Sequence, residues 1–243
     1  MRAYGDIERR VEALSYSYAT HRVLGEVEGY PVFGVTLSQD ASLPVLFING
    51  GTHGDEPAGV EGALAFLEGD QSRWLGDFQF EVIPCFNPYG YVHKTRLNGQ
   101  DVDINWAFLR DDVPEIGLLR RFIDGRQFRA VMDLHEDWEI PGYYLYEQVR
   151  GRPPVGQEIT RRVSRVCPLN MNTRIEKERA ENGVIHPDLN AEKRRKGNGI
   201  PIALFKGGYT DHLITSETPT CRPIETRVRA HLTALETMIG AHC

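Results

Sequence analysis

The order of apolar and polar positions changes character along this chain. Two extended runs between residues 21 and 38 are broken by Glu28-Gly29-Tyr30-Pro31. A break of that composition predicts a hairpin. After Pro44 comes Val45-Leu46-Phe47-Ile48, a continuous apolar run that suits a strand covered on both faces. A glycine-rich turn spans 49–54, and a helical pattern runs over 56–67. Residues 78–84 read as another strand. Residues 85–113 are rich in Asn, Pro, Gly and Asp and hold no period. A loop that long inside a compact domain is usually functional. A helix is predicted over 114–126, a strand over 130–134, a strand over 143–149 and a helix over 156–166. Residues 174–199 are polar and take no assignment. Residues 200–205 and 213–215 read as strands. In the tail, Ile224, Val228, Leu232, Leu235 and Ile239 step by 4, 4, 3 and 4 residues, which is one face of a helix. Strands alternating with helices predict a layered α/β fold, and the early hairpin makes its sheet mixed.

The 243 residues, 41% of them hydrophobic, are enough for one domain over 1–243 with a full core. The net charge of -6 gives no electrostatic reason to seek nucleic acid or anionic lipid. The basic run Glu192-Lys193-Arg194-Arg195-Lys196 is short, lacks interleaved aromatics and reads as a solvated loop. No apolar run opens the chain, so no secretory signal is expected. No stretch approaches the roughly 18 apolar residues of a membrane span. Cys85, Cys167, Cys221 and Cys243 form no Cys-x-x-Cys pair. Reduced thiols in a cytoplasmic protein are the simplest expectation. Oligomeric state is not legible.

Candidate chemistry sits where strands end. In Gly51-Thr52-His53-Gly54-Asp55-Glu56, a His and a Glu lie three apart between a predicted strand and a helix. Zinc takes imidazole nitrogen and carboxylate oxygen, and a catalytic site commonly has three protein ligands. The same Glu56 would also suit a helix first turn for dipole reasons alone. His135 closes the strand of Met132-Asp133-Leu134. Sites in open α/β sheets form outside such carboxyl ends, although a lone His is as readily a satisfied core residue. Asp133 could orient His135 if the strand stays regular. Glu217, in Ser216-Glu217-Thr218, ends another apolar strand. A carboxylate facing an apolar cleft has a raised pKa suited to proton transfer, but it could equally cap the last helix. Arg96 and Asn105 lie in the long loop and could bind an oxyanion or a substrate carboxylate.

Taken in order, Gly51–Glu56, Asn87-Pro88-Tyr89-Gly90, Arg96, Asp103-Ile104-Asn105, Asp133-Leu134-His135 and Ser216-Glu217-Thr218 resemble the zinc carboxypeptidase family. That family includes the aspartoacylase and succinylglutamate desuccinylase branch. The resemblance covers about residues 45–220. It implies a mixed, mostly parallel eight-stranded sheet between helices. It implies one zinc ion per chain on His53, Glu56 and His135, with Glu217 as general base. Arg96 then stabilises the oxyanion, and Asn105 binds substrate. Trp106 stands where the family usually has an Arg that clamps a terminal carboxylate, and Arg110 is the nearby substitute to examine. Tyr209 is the candidate for the family's late tyrosine. His-Gly-Asp-Glu is closer to the amidase and acyl-amino-acid hydrolase members. The expected activity is hydrolysis of a peptide or amide bond, carboxypeptidase-like or as an N-acyl amino acid deacylase. A metal-binding pseudoenzyme is the reading outside catalysis.

Overall fold

The structure, a computed structural model, describes residues 1–187 and 199–243. The basic run at 192–196 lies outside the described residues. In chain order the elements are α1 (Gly5–Glu12), β1 (Ala19–Val27), β2 (Tyr30–Leu37), β3 (Val45–Gly50) and α2 (Pro57–Glu68). Next come β4 (Gln79–Ile83), α3 (Pro88–His93), α4 (Pro114–Ile123), β5 (Ala130–Asp137), β6 (Tyr144–Val149) and α5 (Gly156–Val163). The short strands β7 (Arg174–Ile175), β8 (Glu178–Glu181) and β9 (Val184–Ile185) follow, then α6 (Ile200–Lys206), β10 (His212–Pro219) and α7 (Ile224–Gly240).

Among the described residues the strands form one sheet in the order β1-β2-β4-β3-β5-β10-β6-β9-β8-β7. Its centre, β4-β3-β5-β10, is parallel; β1 pairs antiparallel with β2, β2 with β4 and β6 with β10, while β9 pairs parallel with β6. The sheet is therefore mixed and flanked by helices. Among the described residues ten strands are present rather than eight. The polar stretch that took no assignment holds three of them, β7 to β9, two of which are only two residues long.

Strand alternation sorts the central side chains into two layers. Leu46 and Ile48 of β3, Met132 and Leu134 of β5 and Ile214 of β10 pack with α1, α2, α5 and α7. Phe47, Val131 and Leu213 turn the other way and pack with α4 and α6. Phe47 meets Phe122 and Phe128 at ring separations of 5.0 and 5.2 Å. Burying a side chain of that size stabilises the fold by roughly 1.5–3 kcal/mol. By the same alternation Asp133 and His135 follow Val131, and Thr215 and Glu217 follow Leu213, onto the α4/α6 face. Parallel register sets Glu217 beside His135 and Asn49 beside Asp133.

Residues 200–205 are not a strand but helix α6. Six apolar residues in a row carry no period that separates strand from helix. Pro201 occupies the first helical turn, where its missing N–H is no loss, whereas in a ladder it would leave a gap. Helix α1 carries no motif and was not expected; it is held by the buried Ile7 and Val11. No helix among the described residues is long and apolar enough to cross a membrane. All four cysteines are free thiols, with Cys85 and Cys167 buried.

Candidate metal centre and cleft

The turn after β3 is shaped by close approach. Gly51 has φ of 69°, and a side chain at Gly54 would run into the backbone of Gly90 and Tyr91 in α3. Only glycine meets both demands. The turn carries His53 inward, and Glu56 takes the N-cap position of α2. Its side chain makes no cap hydrogen bond. Glu56 therefore gives the helix end no hydrogen bond, and its carboxylate faces the two imidazoles instead. The amide of Ala58 instead donates to Glu136 Oε2 from β5 at 2.6 Å.

Glu56 turns into the interior, where Oε1 lies 2.7 Å from His53 Nδ1 and Oε2 lies 2.9 Å from His135 Nδ1. The two Nδ1 atoms are 3.1 Å apart. All three residues are buried, and one ligand atom from each fits within a 4.8 Å span. Each imidazole is backed by a second carboxylate. His53 Nε2 lies 3.2 Å from Asp103 Oδ1, and His135 Nε2 lies 3.0 Å from Asp133 Oδ2. Asp133 is held in turn by Asn49 Nδ2 at 2.8 Å. Such outer carboxylates orient metal-binding histidines.

The electrostatics agree with a cation site. Burial alone would discharge His53 and His135, yet both pKa values are raised. Glu56 and Asp103 outweigh burial at His53, and Asp133 and Glu56 outweigh it at His135. Burial would lift the Glu56 carboxyl, but the two histidines bring it well below the carboxylate range. A buried, acidic pocket with two converging nitrogens and one carboxylate oxygen fits a divalent metal ion.

Around this cluster opens a cleft of about 610 Å³ whose lining includes Arg96, Asn105, Trp106, Tyr144, Tyr146 and Glu217. Arg96 Nη1 is 3.2 Å from His53 Nδ1, and its Nε donates to Asp103 Oδ2 at 2.9 Å. Asn105 sits in a 3-10 turn, and its buried Oδ1 has no hydrogen-bond partner among the described residues. Glu217 is raised well above the ordinary carboxylate range. Burial is the main cause; His135 opposes it, and the Glu56 and Asp137 carboxylates add to it. Beneath β10, Ser216 and Thr218 share hydrogen bonds with the two nitrogens of His231 at 3.1 and 3.2 Å. Burial brings His231 down to about 3, so it stands neutral under the strand that carries Glu217.

Two sequence candidates are not brought to the site. Tyr209 precedes β10 at the opposite end of the sheet from Glu217, where its carbonyl accepts from the amide of Phe128. The error came from proximity in sequence to a strand whose far end is functional. Arg110 is exposed, paired with Asp112 and absent from the cleft lining. Conversely, the roles of Asp103 and of Tyr144 and Tyr146 went unread. Asp103 lies inside a motif already noted, but its contact with His53 spans 50 residues.

A buried strut also went unread. Arg227 of α7 pairs with Glu136, whose amide donates to Glu56 Oε2 at 3.0 Å while its carboxylate caps α2. Replacing Arg227 with Met strands a buried carboxylate, expected to cost about 3–5 kcal/mol. Urea unfolding measures that cost, and metal content after dialysis should fall with it.

No family model matches the sequence, and no curated protein matches it significantly. Solved structures do. A protein of Shewanella amazonensis provisionally named a metallopeptidase is 22% identical, with a TM-score of 0.81 over 98% of this chain and 91% of the other. A counterpart from Shewanella denitrificans is 24% identical, with a TM-score of 0.80 over 98% and 88%. The metallo-carboxypeptidase of Pseudomonas aeruginosa, solved with (2-guanidinoethylmercapto)succinic acid, is 17% identical, with a TM-score of 0.74 over 98% and 68%. The fold is therefore the one shared by these metallopeptidases and metallo-carboxypeptidases, as the order of the short motifs implies.

Proposed function

We propose that this chain is a zinc-dependent hydrolase of a peptide or amide bond. The observation that carries the reading is the convergence of His53, Glu56 and His135 in a cleft that Glu217 also lines. Zinc held by these three residues would supply a Lewis acid for a water and for the scissile carbonyl. Glu217 takes the proton of the attacking water and returns it to the departing amine. Its raised pKa matches a base that must also act as an acid. Arg96 presents its guanidinium to the oxygen on which negative charge develops. Asp133 and Asp103 hold the two imidazoles in orientation, and Asn105 offers its free amide oxygen to the bound substrate.

The carboxypeptidase reading requires something to grip a terminal carboxylate. Trp106 carries no charge, and Arg110 points away. Arg96 and Lys177 are the basic side chains of the cleft lining among the described residues. Arg96 is committed to Asp103 and the centre; hydrolysis of N-acyl amino acids, which the His53-Gly54-Asp55-Glu56 motif favours, is the second reading. Peptides with free or amidated C-termini and N-acyl amino acids, offered together to the zinc-loaded protein, separate the two by product mass. Release restricted to free C-termini supports a carboxypeptidase. Release confined to N-acyl amino acids supports a deacylase. No release above the Glu217→Gln blank from any of them leaves a metal-binding protein without this activity.

A further inference from the structure

We propose that His231 is a positioning residue, clamping the segment of β10 that carries Glu217 through a one-way chain of hydrogen bonds from Tyr143 to the main-chain carbonyl of His135. The inference rests on the role given to Glu217 above. The side-chain period of two puts Ser216 and Thr218 on the face of β10 opposite Glu217, with Ile214, toward α2 and α7. Both hydroxyls close on one imidazole. Ser216 Oγ lies 3.1 Å from His231 Nδ1, and Thr218 Oγ1 lies 3.2 Å from its Nε2. A single ring holds the residues on either side of Glu217. That ring is also wedged against α2, where a Cβ at Gly62 would come within 3.2 Å of His231 Cβ. Tyr143, Ser216, Thr218 and His231 are all fully buried, so each polar atom among them is costly to leave unpaired.

The direction of the chain follows from its end. A carbonyl oxygen only accepts, so Thr218 Oγ1 donates to the carbonyl of His135 at 3.4 Å. The Thr218 oxygen is left to accept, and the group it accepts from is His231 Nε2, which must carry a proton. Both ring nitrogens face hydroxyls rather than carboxylates, so the buried ring is neutral and Nδ1 is its acceptor. Ser216 donates to Nδ1 and accepts from the phenol of Tyr143 at 2.9 Å. Ser216 and Thr218 each donate once and accept once, and one tautomer satisfies the whole chain. The last link lands on β5, on the backbone of the residue whose imidazole faces Glu56. Parallel pairing sets Glu217 beside His135, and the chain fastens the same two strands from below. Losing a link frees β10 to shift against β5, which moves the carboxylate relative to the ligand cluster.

Nitrogen-15 NMR of histidine-labelled, zinc-loaded protein reads the ring without turnover. The His231 signal, assigned by its loss in His231→Gln, is expected to show the proton on Nε2. Kinetics on whichever peptide or N-acyl amino acid the parent hydrolyses reads the positioning. Thr218→Val keeps the shape of the side chain but removes the hydroxyl between Nε2 and the His135 carbonyl. It is expected to lower kcat about 10-fold to 100-fold, the cost of a misplacement of up to roughly 1 Å, with KM and zinc content unchanged. Thr218→Ser restores the hydroxyl and should restore most of the rate. Tyr143→Phe cuts only the donor end and should lower kcat less than Thr218→Val does. If Thr218→Val does not fold, Ser216→Ala, which leaves Nδ1 without its donor, carries the same kinetic test. A proton on Nδ1, an unchanged kcat in the folded variant, or a fall that Thr218→Ser does not recover overturns the proposal while the hydrolase reading stands. A parent that hydrolyses nothing yet shows the proton on Nε2 defeats the hydrolase reading and reduces His231 to a structural clamp.

Discussion

Glu217→Gln should keep its metal and lose turnover by roughly 10²–10⁴-fold, the usual worth of a positioned general acid–base. The substitution is nearly isosteric, and Glu217 is not one of the three clustered ligands. Zinc content and melting temperature are expected to match the parent. What disappears is the ability to accept the proton of water and hand it to the amine. The pH dependence gives an independent readout. Glu217 must be ionised to act as base, and burial raises its pKa above the ordinary carboxylate range. Activity therefore falls as pH falls through that raised value, so the acidic limb of kcat/KM lies above where an exposed carboxylate would put it. Residual turnover in the variant should lack that limb. A variant with near-normal kcat, or one whose acidic limb is unmoved, removes Glu217 from the proton-transfer role.

His135→Ala should reduce bound zinc from about one ion per chain to well below one and abolish hydrolysis. Three protein ligands are the minimum of ordinary catalytic zinc sites. With His135 gone, His53 and Glu56 remain as two. The variant also leaves Asp133 buried without the imidazole it faces at 3.0 Å, so a loss of stability accompanies the loss of metal. Chelator treatment of the unaltered protein separates the two effects. It should remove activity reversibly and lower the melting temperature by mass action alone, since the ion binds the folded chain and not the unfolded one. Atomic absorption on dialysed protein reads the stoichiometry. A metal-supplemented parent protein holding well under one zinc per chain would sink the hydrolase reading, and with it the roles given to Glu217 and Arg96.

Much of the fold could be read in advance where the signal was local or periodic. The apolar run of β3, the break at Glu28-Gly29-Tyr30-Pro31 and the helical stepping from Ile224 to Ile239 each stand in the structure. Helix α6 was misread because its six apolar residues carry no period. The strands β7 to β9 were missed because each is short and shows no sustained alternation. Tyr209 and Arg110 show the limit of nearness in sequence, which says nothing about which end of a strand a residue occupies or whether a closer partner claims it.

The sequence by itself determined which residue types could carry the chemistry and that they stand at strand ends. His53 and Glu56 lie three apart, and steric demands on the Gly51 to Gly54 turn let both point inward. His135 and Glu217 each close an apolar run, and the side-chain period of two decides which face they share with Asp133 and Thr215. Only the tertiary structure decided that these pieces meet. The parallel registers of β3 with β5 and of β5 with β10 bring residues more than 80 apart into one pocket. The same packing set Asp103 behind His53 and Arg227 beneath Glu136. None of these contacts leaves a local pattern. Each joins elements distant in sequence, whose approach follows from how the sheet and its two helical layers bury their apolar surface.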